Sequence, residues 1–188
     1  AFEGAESAAP RVQEQYSELV ESCLNHFAFE TTVDPNDPNA HSAYGRACRL
    51  FGRYDQSQRH LLRSMELDRY RWRDGLLCAE LQVKLGLLDA AQKLLQKLVE
   101  MQPDSAEVQY ALGYFYQQSN ALAFAIRHLE KAATLERTHL PTRQLLADIY
   151  LMQGRFDQAE TQYSFILKVS PSVKAHLGIA ECVKQQFR

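Results

Sequence analysis

One pattern of small residues and turn formers recurs every 34 residues through most of this chain. The first small residue of each copy falls at Gly45, Ala79, Gly113 and Ala147. A second follows twelve positions later, at Ser57, Ala91, Ala125 and Ala159. A turn former lies between the two, at Gly52, Gly86, Asn120 and Gly154. A fixed period of this length is the sequence signature of a stacked-helix solenoid.

Each copy of the pattern predicts two antiparallel helices joined by a tight turn. In the third copy, Asp104 is the expected N-cap of the first helix, with Glu107 completing a capping box. Apolar residues then recur at helical spacing up to Tyr116, and Asn120 tolerates the left-handed conformation that ends a helix. The sequence therefore predicts an all-α fold, an α-solenoid of antiparallel helix pairs.

The recurring small residues have a mechanical explanation. We expect Gly113 and Ala125 to face each other where their two helices cross, because larger side chains would push apart helix axes that pack at roughly 8–10 Å. The other three pairs at the same spacing are expected to do the same.

The period divides the chain into segments of one domain. Residues 1–9 are expected to be disordered, and residues 10–37 to form an N-terminal helix that belongs to a degenerate repeat, with Asp37 capping the next helix. Four full repeats follow, at 38–71, 72–105, 106–139 and 140–173. A last helix, a partial repeat or cap, occupies 174–188.

Composition and charge restrict the possible functions. The chain has 188 residues, 46% of them apolar, and a formal net charge of −2 at pH 7. Phosphate-backbone binding usually needs a basic face, so nucleic acid is not an expected partner. No apolar run reaches the ~20 residues of a spanning helix, so membrane insertion is not expected either. The chain begins at Ala1 rather than Met, which suggests processing or excision.

The cysteines and histidines predict no metal site. The four cysteines, Cys23, Cys48, Cys78 and Cys182, are scattered, and most fall in slots where other copies carry core residues. Such thiols favour a reducing, cytoplasmic compartment, with a mature periplasmic chain or an excised domain left open. Cys23-x-x-His26 lacks the second pair that a closed zinc site requires. Since no catalytic motif is visible either, we expect no cofactor and no enzymatic activity.

The pattern resembles the tetratricopeptide repeat. Its best matches are Leu112-Gly113 with Tyr116, Ala125 and Leu129, and Gly154 to Ala159 followed by Pro171. The resemblance is strong over residues 38–173. The Trp usual near the start of the first helix is replaced, by His41, Gly75, Gln109 and Arg143. The closing Pro is replaced in alternate repeats by Arg69 and Arg137.

The resemblance implies a right-handed superhelix whose first helices line a concave groove, and a non-catalytic module that binds another protein or peptide there. One subfamily grips a C-terminal carboxylate with Lys and Asn. The equivalent places here hold Ser42, Arg46, Leu77, Arg73 and Ala111, so this clamp is not expected.

Helical spacing indicates which residues of the first helices would face the groove. They are Arg46, Arg49, Glu80, Lys84, Tyr110, Tyr114, Gln117, Gln118, Gln144 and Asp148. Tyrosine offers large contact area at low entropic cost, so we expect an apolar or aromatic anchor of the partner to dock at Tyr110 and Tyr114. The alternative is that both tyrosines only pack against the neighbouring helix.

A basic cluster runs from Arg69 to Arg73, with Tyr70 and Trp72 between the arginines. Arginines interleaved with aromatics can hold nucleic acid, and such binding weakens steeply with salt. Because Asp68 and Asp74 flank the cluster, a solvated linker between repeats is the favoured interpretation.

The last helix is apolar and has no obvious polar cap. A solenoid normally ends in a helix with a polar outer face. The second functional hypothesis is therefore a homodimer, or a larger assembly, through an interface at Leu177, Ile179 and Val183. The alternative is an amphipathic helix that packs on the fourth repeat.

Overall fold

The computed structural model describes residues 8–186, with side chains from residue 14 onwards. This part of the chain forms ten α-helices and one 3-10 turn, Arg69–Arg71. The helices are α1 Ala8–Val33, α2 Pro38–Leu50, α3 Tyr54–Leu67, α4 Trp72–Lys84, α5 Leu88–Met101, α6 Ala106–Gln118, α7 Leu122–Leu135, α8 Leu140–Met152, α9 Phe156–Val169 and α10 Val173–Gln186. Most of the segment predicted to be disordered, residues 1–7, lies outside the described residues.

The described helices fall into two compact units. Unit 1 runs to Leu81 and contains α1, α2, α3 and most of α4, whereas unit 2 begins at Gln82. In unit 1, α1 and α3 both pack against α2. In unit 2, α6 pairs with α7 and α8 with α9, and α10 packs on α9. The all-α architecture of antiparallel helix pairs is confirmed.

The turn former of each repeat has a left-handed backbone, as the sequence predicts. The φ angle is +75° at Gly52 and +57° at Asn120, and the equivalent glycines of the other two repeats behave alike. The next residue closes the turn: the Arg53 amide donates to the Cys48 carbonyl at 2.8 Å, and the Ala121 amide donates to the Tyr116 carbonyl at 2.8 Å. These bonds satisfy carbonyls that the helix end leaves without partners.

The predicted helix caps are right in one case and wrong in another. The Asp37 carboxylate accepts hydrogen bonds from the amides of Asn39 and Ala40 at the start of α2, and these bonds lower the pKa of Asp37. At the start of α6, the cap is Ser105 rather than Asp104, with the Val108 amide donating to Ser105 Oγ at 3.4 Å. Both residues are N-cap formers, and the backbone places the later one at the helix end.

A leucine of the second helix lies against the glycine of the first helix in two repeats. A Cβ on Gly113 would lie 2.4 Å from Leu129 Cγ, and one on Gly45 would lie 2.8 Å from Leu61 Cγ. The small residue therefore receives the leucine one turn beyond Ala125. Ala125 itself is fully buried in the core of unit 2.

The core of each unit includes free cysteines. Cys48 packs with Leu24 and Tyr44 in unit 1, and Cys182 belongs to the core of unit 2. Cys78 is fully buried, and burial raises its pKa to about 12. Cys23 is only half-buried. The buried thiols are therefore protonated core residues.

Candidate functional site

The first helix of the third repeat, α6, places four predicted binding residues on one face. Tyr110, Tyr114 and Gln118 follow each other at steps of four residues, and Gln117 lies beside them. Both tyrosines are half-buried, whereas Gln118 is exposed. We call Tyr110, Tyr114, Gln117 and Gln118 the tyrosine face. It combines aromatic surface with amide groups that can donate and accept hydrogen bonds.

Tyr110 is held in place by its neighbours. Its ring meets the ring of His139 edge to face, with 5.2 Å between the centroids, and it packs against the core of unit 2. His139 caps α8, where its Nδ1 accepts a hydrogen bond from the Thr142 amide at 3.3 Å. The tyrosine therefore has a packing role, as the alternative interpretation expected, and still exposes part of its ring.

In the fourth repeat, the predicted groove residue Asp148 forms hydrogen bonds with other side chains of unit 2. Its carboxylate accepts hydrogen bonds from Gln144 Nε2 at 2.8 Å, Tyr163 Oη at 2.7 Å and Lys174 Nζ at 2.7 Å. Burial and the bond to Asp148 raise the pKa of Tyr163. Because these bonds join α8 to α9 and α10, Asp148 links three helices, and Gln144 orients it.

In unit 1, Arg46 is an exposed arginine that binds a buried acid. Its Nη2 and Nε donate to Asp74 Oδ1 at 2.7 and 3.1 Å, and Asp74 is 1% exposed. Ser64 Oγ donates to Asp74 Oδ2 at 2.8 Å. Arg46 therefore neutralises a buried charge that would otherwise be costly.

The remaining predicted groove residues differ in exposure. Arg49 on α2 and Lys84 at the end of α4 are exposed, whereas Glu80 is half-buried and has a polar partner.

The proposed oligomer interface on α10 divides between two sides of the helix. Leu177 is 66% exposed and Val183 is 41% exposed, and Val173 adds a third exposed apolar side chain. Ile179 instead packs against the core of unit 2. The exposed apolar surface of α10 therefore consists of Val173, Leu177 and Val183.

The basic cluster is more ordered than a solvated linker. Trp72 is buried at the start of α4, and the Arg73 guanidinium stacks on its ring at 4.5 Å. Arg71 is half-buried and donates to Asn39, while Tyr70 is 84% exposed. Arg71 thus connects the 3-10 turn to α2.

Sequence reasoning missed a polar bridge at the position of the family's Trp. In three repeats, the residue there contacts a side chain 19 positions later: His41 Nδ1 with His60 Nδ1 at 2.9 Å, Gln109 Oε1 with His128 Nδ1 at 2.9 Å, and Arg143 Nη1 with Gln162 Oε1 at 2.9 Å. The same residue bonds the carbonyl six positions earlier, at Pro35, Pro103 and Arg137. The sequence signal for these bridges is a pair of polar residues 19 positions apart, which recurs in three repeats.

Within residues 8–186 no group of three histidine, cysteine, aspartate or glutamate side chains could hold a metal ion. Among the ten helices given above, none combines the length and apolar character that crossing a membrane requires.

Comparison with family models supports the repeat assignment. A model described as a tetratricopeptide repeat matches residues 38–63, and one described as anaphase-promoting complex, cyclosome, subunit 3 matches residues 84–166. No curated protein sequence gives a significant match.

Several solved structures share the fold. A thermophilic tetratricopeptide-repeat protein of Thermus thermophilus is 22% identical, with a TM-score of 0.71, and the match covers 92% of this chain and 95% of that chain. A MamA protein is 22% identical, with a TM-score of 0.68 and coverage of 80% and 82%. A chain of the Cut9–Hcn1 hetero-tetramer is 18% identical, with a TM-score of 0.74. The match covers 90% of this chain but 34% of that chain. The predicted resemblance is confirmed.

Proposed function

Because this chain carries tetratricopeptide-type repeats, a fold typical of protein–protein interaction scaffolds, we propose that it is a non-catalytic scaffold that binds a segment of another protein. The proposed site in unit 2 is the tyrosine face of α6. In the Cut9–Hcn1 complex, a chain of similar fold is assembled with a second protein, which supports a role of this kind.

One observation carries the proposal: aromatic and amide side chains share an outward stripe of α6, and Tyr110 is already fixed by His139. A tyrosine that is ordered before binding loses little side-chain entropy when a partner covers it. Tyr114 supplies a second half-buried ring, and Gln117 and Gln118 supply hydrogen bonds to a peptide backbone.

The charged residues of the predicted groove have different roles in this proposal. Arg49 and Lys84 are exposed and are proposed to contribute charge to partner binding. Arg46 and Asp148 hold buried or interhelical partners, so we assign each of them to the structural support of its own unit. Gln144, in unit 2, and Glu80, in unit 1, are proposed as further partner contacts.

The experiment starts from a displayed library of random peptides selected against the immobilised chain. Calorimetry then compares the dissociation constant of the best peptide for the wild type and for Tyr110→Ala/Tyr114→Ala. We expect roughly 100-fold weaker binding, since two buried aromatic anchors of an interface often contribute this much. Phe124→Ala is the matched control, because Phe124 is an exposed aromatic on a second helix, α7. It should change affinity less than about twofold.

A surface variant guards against an effect through folding. Gln117→Lys/Gln118→Lys leaves both rings in place and should weaken the selected peptide about tenfold through lost hydrogen bonds. Unchanged affinity in both multiple variants would contradict the tyrosine face as the binding site.

A second candidate function is self-association through α10. It is favoured by the exposure of Val173 and Leu177, which lie four residues apart on one side of the helix. Light scattering over a hundredfold range of concentration should then show a dimer that Leu177→Glu converts to a monomer. A wild-type chain that stays monomeric throughout is incompatible with this candidate.

A further inference from the structure

Unit 2 contains a cavity that the proposed function does not use. It has a volume of about 320 Å³ and lies between α7, α8 and α9. Its polar lining consists of Glu130, Thr134, Arg137, Arg143, Tyr150 and Gln162. We call it the arginine cavity, and none of these residues belongs to the tyrosine face.

Arg143 is held rigidly in the arginine cavity by neutral groups. Its Nη1 donates to Gln162 Oε1 at 2.9 Å, its Nε to the Arg137 carbonyl at 3.3 Å and its Nη2 to the Ala133 carbonyl at 3.4 Å. The guanidinium also stacks on the ring of Phe165, with 4.5 Å between Cζ and the centroid. A guanidinium has five N–H groups, so one on each terminal nitrogen is left to donate.

The positive charge of the arginine cavity is not balanced inside it. Across the described residues, no carboxylate oxygen lies within 4.0 Å of a nitrogen of Arg143 or Arg137. The cavity's one carboxylate, Glu130, accepts a hydrogen bond from Tyr150 Oη at 2.8 Å. Burial, together with the nearby charge of Arg137, lowers the pKa of Arg143.

Comparison with the other repeats shows how this charge arises. Arg143 stands where His41 and Gln109 make the same bridge without a guanidinium, and Arg137 stands where Pro35 and Pro103 precede other repeats. Thr134 occupies the place of Glu66 and Glu100, 68 and 34 residues earlier. Two cations are added and one carboxylate is lost at this junction.

We propose that the arginine cavity binds a phosphate-type oxyanion between the guanidinium groups of Arg143 and Arg137. The spare donors of a rigid guanidinium match the oxygens of such an anion, and hydrogen bonds between two charged groups are the stronger kind. The Gln162 amide nitrogen donates alongside, since its oxygen already accepts from Arg143.

The experiment titrates the chain with inorganic phosphate, at an ionic strength held constant with sodium chloride, and follows the arginine Nε–H signals by NMR. We expect saturable shifts at Arg143. Arg137→Gln should weaken phosphate about tenfold, because it removes one charged donor and breaks no side-chain bond of the fold. Comparing the affinity of O-phosphoserine with that of inorganic phosphate shows whether the anion is preferred attached to a larger molecule or free. Serine is the control that lacks the phosphate group.

Two more variants make the test independent of folding. Glu130→Gln should tighten phosphate several-fold, because it removes the competing negative charge and keeps an acceptor for the Tyr150 hydroxyl. The matched control is Arg155→Gln, whose guanidinium stacks on the outer side of the Tyr150 ring at 4.6 Å and does not line the cavity. Equal losses in Arg137→Gln and Arg155→Gln, or no tightening in Glu130→Gln, would overturn the proposal.

Discussion

Gln109 and His128 are joined across the two helices of the third repeat by a 2.9 Å hydrogen bond between Oε1 and Nδ1. The Gln109 amide nitrogen also donates to the Pro103 carbonyl at 3.0 Å, so one side chain connects α6, α7 and the preceding loop. Gln109 is 3% exposed. A hydrogen-bonded bridge therefore takes the place of the bulky Trp that the resembling family usually carries here.

Removing this bridge should destabilise unit 2. Gln109→Leu leaves His128 Nδ1 without a partner and leaves the Pro103 carbonyl with only the bond from Lys131 Nζ, which together costs about 1–3 kcal/mol. The cost should fall by about 1 kcal/mol when His128→Leu is already present, because the two residues are in contact. Urea unfolding followed by circular dichroism measures the double-mutant cycle, with exposed Gln118→Ala as control. Strictly additive costs would mean that the bond contributes nothing.

Gly113 should not tolerate a methyl group. Gly113→Ala places Cβ 2.4 Å from Leu129 Cγ, and overpacking of this kind costs about 1–3 kcal/mol despite the better helix propensity of alanine. In a Leu129→Ala background the same substitution should become neutral or stabilising by up to about 1 kcal/mol. Thermal melting of the four proteins measures the reversal. A similar cost in both backgrounds contradicts the contact.

Arg46 should matter for stability and Arg49 should not. Arg46→Ala leaves the buried Asp74 carboxylate with Ser64 as its nearest donor, which costs about 2–4 kcal/mol. Arg49→Ala removes an exposed arginine one turn further along α2 and should cost less than about 0.5 kcal/mol. Trp72 is the only Trp of the chain and is buried in unit 1, so its fluorescence reports this unfolding. Equal stability of the two variants would exclude a structural role for the ion pair.

Asp148 should anchor α10. Asp148→Ala removes the acceptor for Tyr163 and Lys174, and we expect a loss of about 1–3 kcal/mol and faster amide exchange in α10. Lys174→Gln is the matched control, since Lys174 is 64% exposed and its loss leaves the Tyr163 bond intact. Hydrogen exchange followed by mass spectrometry compares them. Unchanged protection of α10 in Asp148→Ala would show that the apolar contacts alone hold this helix.

Unit 1 should lose stability in mild acid through His60. Burial, His41 and Arg59 lower the pKa of His60 from 6.5 to about 4. The unfolded chain therefore takes up this proton first, so the contribution is complete above pH 6.5 and is lost as the pH falls towards 4. Between pH 7.5 and 5 we expect the free energy of unfolding to fall by about 1–2 kcal/mol, as suits a half-buried ring. Urea unfolding followed by Trp72 fluorescence should show a shallower pH dependence in His60→Asn. An identical dependence would assign the effect to other groups.

The helix pairs and turns were predictable because they depend on local chemistry. A left-handed turn needs Gly or Asn, and helical spacing of apolar residues selects the buried face. Both signals repeat, so the sequence predicts paired helices joined by tight turns. The polar bridges were within reach as well, since Gln109 and Arg143 already marked departures from the resembling family.

The sequence by itself determined the helical repeat and predicted Tyr110, Tyr114, Arg46 and Asp148 as outward residues of their own helices. Only the tertiary structure decided which of these side chains are committed elsewhere. Arg46 meets Asp74 28 residues away and Asp148 meets Lys174 26 residues away, and Gly113 receives Leu129. Periodicity specifies the direction in which a side chain leaves its helix, whereas its partner depends on the distance and rotation of the helix packed beside it.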